Sequence, residues 1–327
     1  MDLRLALYEL ALGQQLDARA TRRLEDLAGL HDEPAALARW LPIGIAVLAA
    51  ALGGLGLIFW VAANWESLGR VGRFALLQGG VVAMCAGALW RPTLRVPLSL
   101  LALLCIGGLF AYFGQTYQTG ADPWQLFALW AVLAIPLGLG TRSDVLWAPF
   151  ALIAMSGISL WIVAHTGHRW RLEPDDLAAH LIGWLAALLL VAALHPAWRR
   201  ITGSGDWAER TAVTLAMVLI CFSGSMAIFG DRSGMHYAAA LVVLGLAAAL
   251  LARRATFDLY GLSAVALGLN VLLIAGLTHL LFDRARHNDF IGEMLLLGLA
   301  AAGLLAATVS GVLHLSRHHA RAEGESA

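Results

Sequence analysis

A chain of 327 residues, 60% of them hydrophobic and 13% charged, is no ordinary soluble domain, which carries about 25% charged residues. That much apolar surface calls for an apolar solvent, the bilayer. The 22 basic and 22 acidic residues cancel, so no global field attracts nucleic acid.

Residues 1–40 form the first element. Leu3, Leu7 and Leu10, then Leu16, Ala20, Leu24, Leu27 and Leu30, recur at helical spacing with charges between them, which predicts a short amphipathic helical hairpin. Asp32, Glu33 and Pro34 look like the start of the next helix. The segment is too charged for a secretory signal peptide, so the first span serves as an uncleaved insertion signal.

Runs long and apolar enough to cross the hydrocarbon, about 17–25 residues each, follow at 41–63, 74–90, 96–113, 123–141, 145–164, 177–194, 211–229, 235–252, 259–282 and 290–313. The predicted fold is an all-α polytopic bundle of about ten transmembrane helices, occupying 41–316. A polar tail at 317–327 is expected to be disordered. Trp40, Trp65, Trp90, Trp124 and Trp170 flank the runs, as interfacial anchors should. Cys85, Cys105 and Cys221 stand singly in apolar runs and read as reduced packing residues.

All the basic residues are arginines; 15 fall on the side of the N-terminus and 7 on the other. The positive-inside rule then predicts a multi-pass protein of the bacterial inner membrane with both termini cytoplasmic.

Polar side chains at membrane depth each ask for a partner, a cavity or a function. Gln78, His180, Asn270, His279 and Glu293 are the candidates. His180 stands one turn beyond Asp176 and is expected to stay solvated at the interface. Asn270, midway through the ninth run, is the deepest; it suits an interhelical hydrogen bond or a ligand to substrate or ion.

The stretch Gly114-Gln115-Thr116-Tyr117-Gln118-Thr119-Gly120-Ala121-Asp122-Pro123-Trp124-Gln125 lacks arginine and is rich in donors and acceptors. It lies on the predicted periplasmic side. Asp122, Pro123 and Gln125 fit a capping box, which leaves Gln115, Tyr117 and Gln118 as candidate binding residues. Asn64-Trp65-Glu66, on the same predicted side, suits helix capping or a joint site with Asp122 and the two glutamines.

Phe59-Trp60-Val61-Ala62-Ala63-Asn64-Trp65-Glu66 together with Gly114-Gln115-Thr116-Tyr117-Gln118-Thr119-Gly120-Ala121-Asp122 resembles an uncharacterised bacterial membrane family, domain of unknown function 2157. The helical region before the first span is similar as well. The resemblance covers about the first 145–165 residues. It implies a polytopic inner-membrane protein and brings no catalytic residue.

Signatures of membrane chemistry are missing. There is no His-Glu-x-x-His and no phosphate loop. Gly203-Ser204-Gly205-Asp206 resembles an intramembrane aspartyl protease motif, yet no second aspartate lies in a span to pair with it. Ser225 has no matching histidine. His314, His318 and His319 share a helix face without a carboxylate to support a metal. No catalytic residue, metal or cofactor is therefore expected.

Three functions remain open. One is a small-solute or lipid carrier, with ten spans compatible with an inverted five-plus-five repeat and with Gln115, Tyr117, Gln118, Asp122, Asn64, Glu66 and Asn270 as its candidate contacts. A second is a sensor or assembly component that docks a protein partner through residues 1–40. The third is an enzyme on lipid-linked head groups using Glu66 and Asp122 as acid and base. Membrane lipids are the expected surroundings in each case.

Overall fold

The computed structural model describes residues 3–29, 35–64, 67–117, 120, 122–167, 173–229, 234–253, 256–284 and 290–324. Trp65, Glu66, Gln118, Thr119, Trp170 and the Asp32–Glu33–Pro34 helix start lie outside them. The described residues are helical with no strand, and the chain divides into two compact units, Met1–Gly53 and Gly54–Ala327.

The first unit contains α1 (Leu3–Gly13) and α2 (Ala18–Leu27) and the start of α3 (Ala35–Ala63). Asp17 starts α2 by accepting the Ala20 N–H at 2.7 Å, the usual remedy for an unsatisfied helix N-terminus. Ala11 is buried, while Tyr8, Leu10, Leu12 and Leu27 are exposed.

The second unit holds the rest of α3 and then α4 (Gly69–Trp90), α5 (Arg95–Tyr117), α6 (Pro123–Thr141), α7 (Asp144–His165), α8 (Leu177–Leu194), α9 (Arg199–Thr202), α10 (Asp206–Phe229), α11 (Gly234–Leu251), α12 (Leu259–Arg284) and α13 (Phe290–Gly324). Among the described residues, ten helices are long and apolar enough to span a membrane. Helices satisfy most backbone N–H and C=O groups within their own segment, as hydrocarbon demands, with the ladder interrupted at Pro42 of α3, Pro136 of α6 and Pro149 of α7.

Several helices outrun their apolar stretches. The second begins at Gly69 and not near 74, and the third runs to Tyr117 and not 113. The seventh begins at Asp206, where Asp206 and Glu209 in its first turn suit the positive end of the helix dipole. The segment expected to be a disordered tail continues α13 to Gly324. Hydropathy marks the hydrocarbon, whereas helix propagates through polar residues at either end.

α10 is the centre of the second unit. Half of its most apolar stretch is buried, against none of α13's. Ala208, Ala212, Ala216, Ile220 and Gly224 recur every four residues along it and are all buried. Small side chains on one stripe let neighbouring backbones approach closely, which is how helices pack in lipid. Around that stripe Met155, Trp184, Ala240, Leu244, Val265 and Leu272 complete a core drawn from α7, α8, α11 and α12. A second cluster joins Val61, Leu77 and Tyr112 across α3, α4 and α5.

Tryptophans also tie helices together from within. The Trp130 indole lies over Gly107 and donates to Leu103 O at 3.0 Å. Trp147 lies over Gly138 and donates to Thr202 O at 2.7 Å. Trp40 and Trp90, in contrast, are exposed as flanking anchors would be.

Candidate functional site

Gln115 and Tyr117 do not sit on a loop: they form the last turn of α5. Tyr117 packs against Phe113 at 4.9 Å and Phe74 at 5.8 Å between ring centres, with the Arg70 guanidinium 5.9 Å from its ring. One turn back, Tyr112 meets Phe74 at 4.6 Å, has Arg73 over its ring at 5.9 Å, and donates to Arg70 O at 3.4 Å. Arg73 is buried although it lies within a spanning helix. Gln115 lines a small cavity of about 130 Å³ with Ile58, Val61, Leu77 and Tyr112. An aromatic–arginine cluster at one end of α4 and α5 thus stands where a polar loop was expected. In the sequence Arg70 and Arg73 enter only through the count of arginines on the side opposite the N-terminus. Their i, i+3 spacing, with Phe74 beside them, was the available signal.

The remaining candidates are dispersed. Asn64 ends α3, donating through Nδ2 to Trp60 O at 2.9 Å, and its own carbonyl accepts from Ser67 Oγ at 3.0 Å. Asp122 occupies the N-cap of α6 in an extended conformation with Pro123 following, but its carboxylate makes no capping hydrogen bond. Gln125 N–H instead binds the Asp122 main-chain oxygen at 3.0 Å, so the expected capping box is not formed. Asn270, 5% exposed, accepts from Thr308 Oγ1 at 3.0 Å, an α12–α13 contact; its Nδ2 has no partner among the described residues. Glu66 and Gln118 lie outside the described residues.

His180 corrects an expectation. It is 4% exposed rather than solvated. Its ring stands edge-on to His236 at 5.0 Å and to Trp184 at 6.1 Å. Its Nδ1 lies 3.0 Å from Asp176 O; a carbonyl only accepts, so Nδ1 carries a proton, and when the ring is neutral Nε2 is the acceptor. Trp184 Nε1 donates to Ser223 Oγ at 3.1 Å, and Ser223 Oγ donates to Leu219 O at 2.7 Å.

His180, Ser223 and Thr166 open on a groove of about 730 Å³ walled by α6, α7 and α10. Its volume falls among those of ligand sites, about 300–1,000 Å³. Phe127, Met155, Leu160, Ile162 and Leu219 make its floor and sides. Leu152, Val163, Val218 and Phe222 form rims that are 44–60% exposed. Such a groove takes an apolar body and offers a few polar groups to orient it. No cluster of three or more His, Cys, Asp or Glu side chains suited to a metal occurs among the described residues.

Residues 10–147 match the family described as "Predicted membrane protein (DUF2157)". The region that carries the two sequence motifs is therefore this family's domain, and the chain is a multi-pass membrane protein. No curated protein and no solved structure matches the chain.

Proposed function

We propose that the protein is a carrier for small amphipathic solutes or lipids in the bacterial inner membrane, with both termini cytoplasmic. The groove of about 730 Å³ between α6, α7 and α10 carries this reading. It is wide enough for a guest, apolar along its rims, and polar at Thr166 and His180. A bundle serving only as a membrane anchor needs no such opening, since close packing through small residues would seal it. The arginine asymmetry supports the orientation.

The test is reconstitution of the full chain in vesicles carrying a fluorescent-headed lipid in both leaflets. Quenching from outside by a membrane-impermeant reductant reads movement between leaflets. Faster loss of the inner-leaflet signal than in protein-free vesicles is expected, with slowing by Ser159→Phe, which fills the groove. Rates equal to protein-free vesicles across lipids and amphipathic solutes would overturn the reading.

A second reading, docking of a protein partner through residues 1–40, is favoured by one observation. Tyr8, Leu10, Leu12 and Leu27 on α1 and α2 expose apolar side chains. A photo-crosslinking residue at Leu12 should then capture one protein stoichiometrically in cells; adducts to lipid alone would dismiss it.

A further inference from the structure

The groove's dimensions and the order of its polar groups specify its occupant more closely. Its lining runs along α7 from Leu152 to Thr166 and along α10 from Leu215 to Met226. At about 1.5 Å per residue these stretches measure roughly 21 and 16 Å. One leaflet of a hydrocarbon core about 30 Å thick is roughly 15 Å. Thr166 caps the end of α7 and His180 sits near the start of α8, so the groove begins at the level of the helix ends and stops near mid-bilayer. It is a one-leaflet groove and not a pore.

The groove opens sideways. Its rims are Leu152, Val218 and Phe222 at mid-helix positions and Val163 in the last turn of α7, all 44–60% exposed. In a spanning bundle that exposure faces lipid, and a solute from water would have to cross lipid to enter there.

Its polarity is graded as well. The hydroxyls of Ser156 and Ser159 are held by their own helix, at 2.8 Å from Leu152 O and 2.9 Å from Met155 O. Ser223 is committed to Leu219 O and Trp184. The middle therefore offers a guest no free donor, and it behaves as an apolar wall. His180 stands apart: with Nδ1 tied to Asp176 O, the neutral ring has an acceptor left at Nε2. An acceptor at the outer end of an apolar, one-leaflet groove matches a lipid whose chain lies along α7 and whose head group donates a hydrogen bond.

We propose that the groove between α7 and α10 binds one acyl chain of a bilayer lipid, selecting lipids with a hydroxyl-bearing head group through His180. This rests on the carrier reading for its purpose but not for its chemistry. A glycerol head group has donors for His180; a trimethylammonium head group has none.

The test uses the full chain in nanodiscs containing phosphatidylglycerol or phosphatidylcholine with a photoreactive group midway along one acyl chain. Mass spectrometry maps the adducts. Phosphatidylglycerol should label Leu152–Val163 and Val218–Met226 several times more densely than Leu295 and Leu299 of α13, which are at least as exposed. Ser159→Phe and, independently, Ser156→Phe should remove the groove adducts while those on α13 persist, which also shows that the bundle is retained. Phosphatidylcholine should label the groove less, and His180→Leu should erase the difference between the two lipids. Groove labelling no denser than α13 labelling would reduce the site to ordinary boundary lipid and overturn the proposal. Equal labelling by both lipids in the unmodified chain would overturn the selectivity.

The vesicle assay separates the two readings. Groove adducts without movement between leaflets would leave this site standing and remove the carrier. Movement between leaflets by the unmodified chain, slowed by Ser159→Phe, with groove labelling no denser than α13 labelling would do the reverse.

Discussion

The Asp144 carboxylate accepts the Gly205 backbone N–H at 2.5 Å across 61 residues of sequence. The same carboxylate receives Trp207 N–H at 3.1 Å and Ala208 N–H at 3.4 Å. One acid at the first position of α7 thereby caps the first turn of α10, serving the positive ends of two helices. The surrounding turn is fixed by it. Gly203 has φ +66° and packs on Arg142, where a side chain would collide with the backbone. Ser204 is fully buried with its hydroxyl on Leu194 O at 3.1 Å, and Asp206 pairs with Arg199 at 2.6 Å. The Gly-x-Gly-Asp pattern is accounted for by this turn.

Asp144→Ala should destabilise the protein by about 1–2 kcal/mol, the usual cost of a lost N-cap. Asp144→Asn, which keeps acceptor oxygen but loses charge, should cost less. Thermal unfolding of the full chain in detergent ranks the two. Equal stability of Asp144→Ala and the unmodified chain would show that water replaces the carboxylate without loss.

The number of spans was legible because each needs some twenty apolar residues between arginines and tryptophans, and that signal is local. Which helices touch was not. In hydrocarbon both the buried and the lipid-facing sides of a helix are apolar, so the Ala208–Ala212–Ala216–Ile220–Gly224 stripe has no hydropathy contrast to announce it. His180 was misplaced for a related reason. Its distance from Asp176 along the chain suggests the interface, while its burial comes from His236 and Trp184, which arrive from elsewhere. The groove assembles four separate segments, and its serines look like ordinary helix serines. Asn64 was readable as a cap, since the partner it needed, Trp60 O, lies one turn away.

Gly224 tests the close approach directly. A Cβ there would lie 2.9 Å from Ala240 Cβ and 3.0 Å from Leu272 Cδ2. Leu272 can shift its far end, whereas Ala240 Cβ is fixed to the backbone. Gly224→Val should therefore overpack the α10–α11 contact, costing about 1–3 kcal/mol. Ala240→Gly in the same chain should recover part of that loss. Unfolding of the single and double variants in detergent reads the coupling; no recovery would mean that Leu272 carries the clash.

Asn270 and Thr308 form a hydrogen bond between α12 and α13. Hydrogen bonds of this kind in a membrane are worth about 0.6 kcal/mol on average, so Thr308→Val and Asn270→Leu should each be mild. Their double-mutant cycle should return a coupling near that average. A coupling of zero with lost cellular function in Asn270→Leu alone would instead mark Asn270 as a ligand for a guest, acting through its unpartnered Nδ2.

Orientation is open to a direct chemical test, for which buried Ser204 would make a poor reporter. Ser67 and Arg200 are both exposed and lie in connections predicted to face opposite sides. The native Cys85, Cys105 and Cys221 all lie within spanning helices, and their replacement removes any background. In intact cells Ser67→Cys should react with an impermeant thiol reagent, while Arg200→Cys should react only after the inner membrane is opened. The opposite pattern would place both termini outside, and the Thr166–His180 end of the groove would then draw its lipid from the cytoplasmic leaflet.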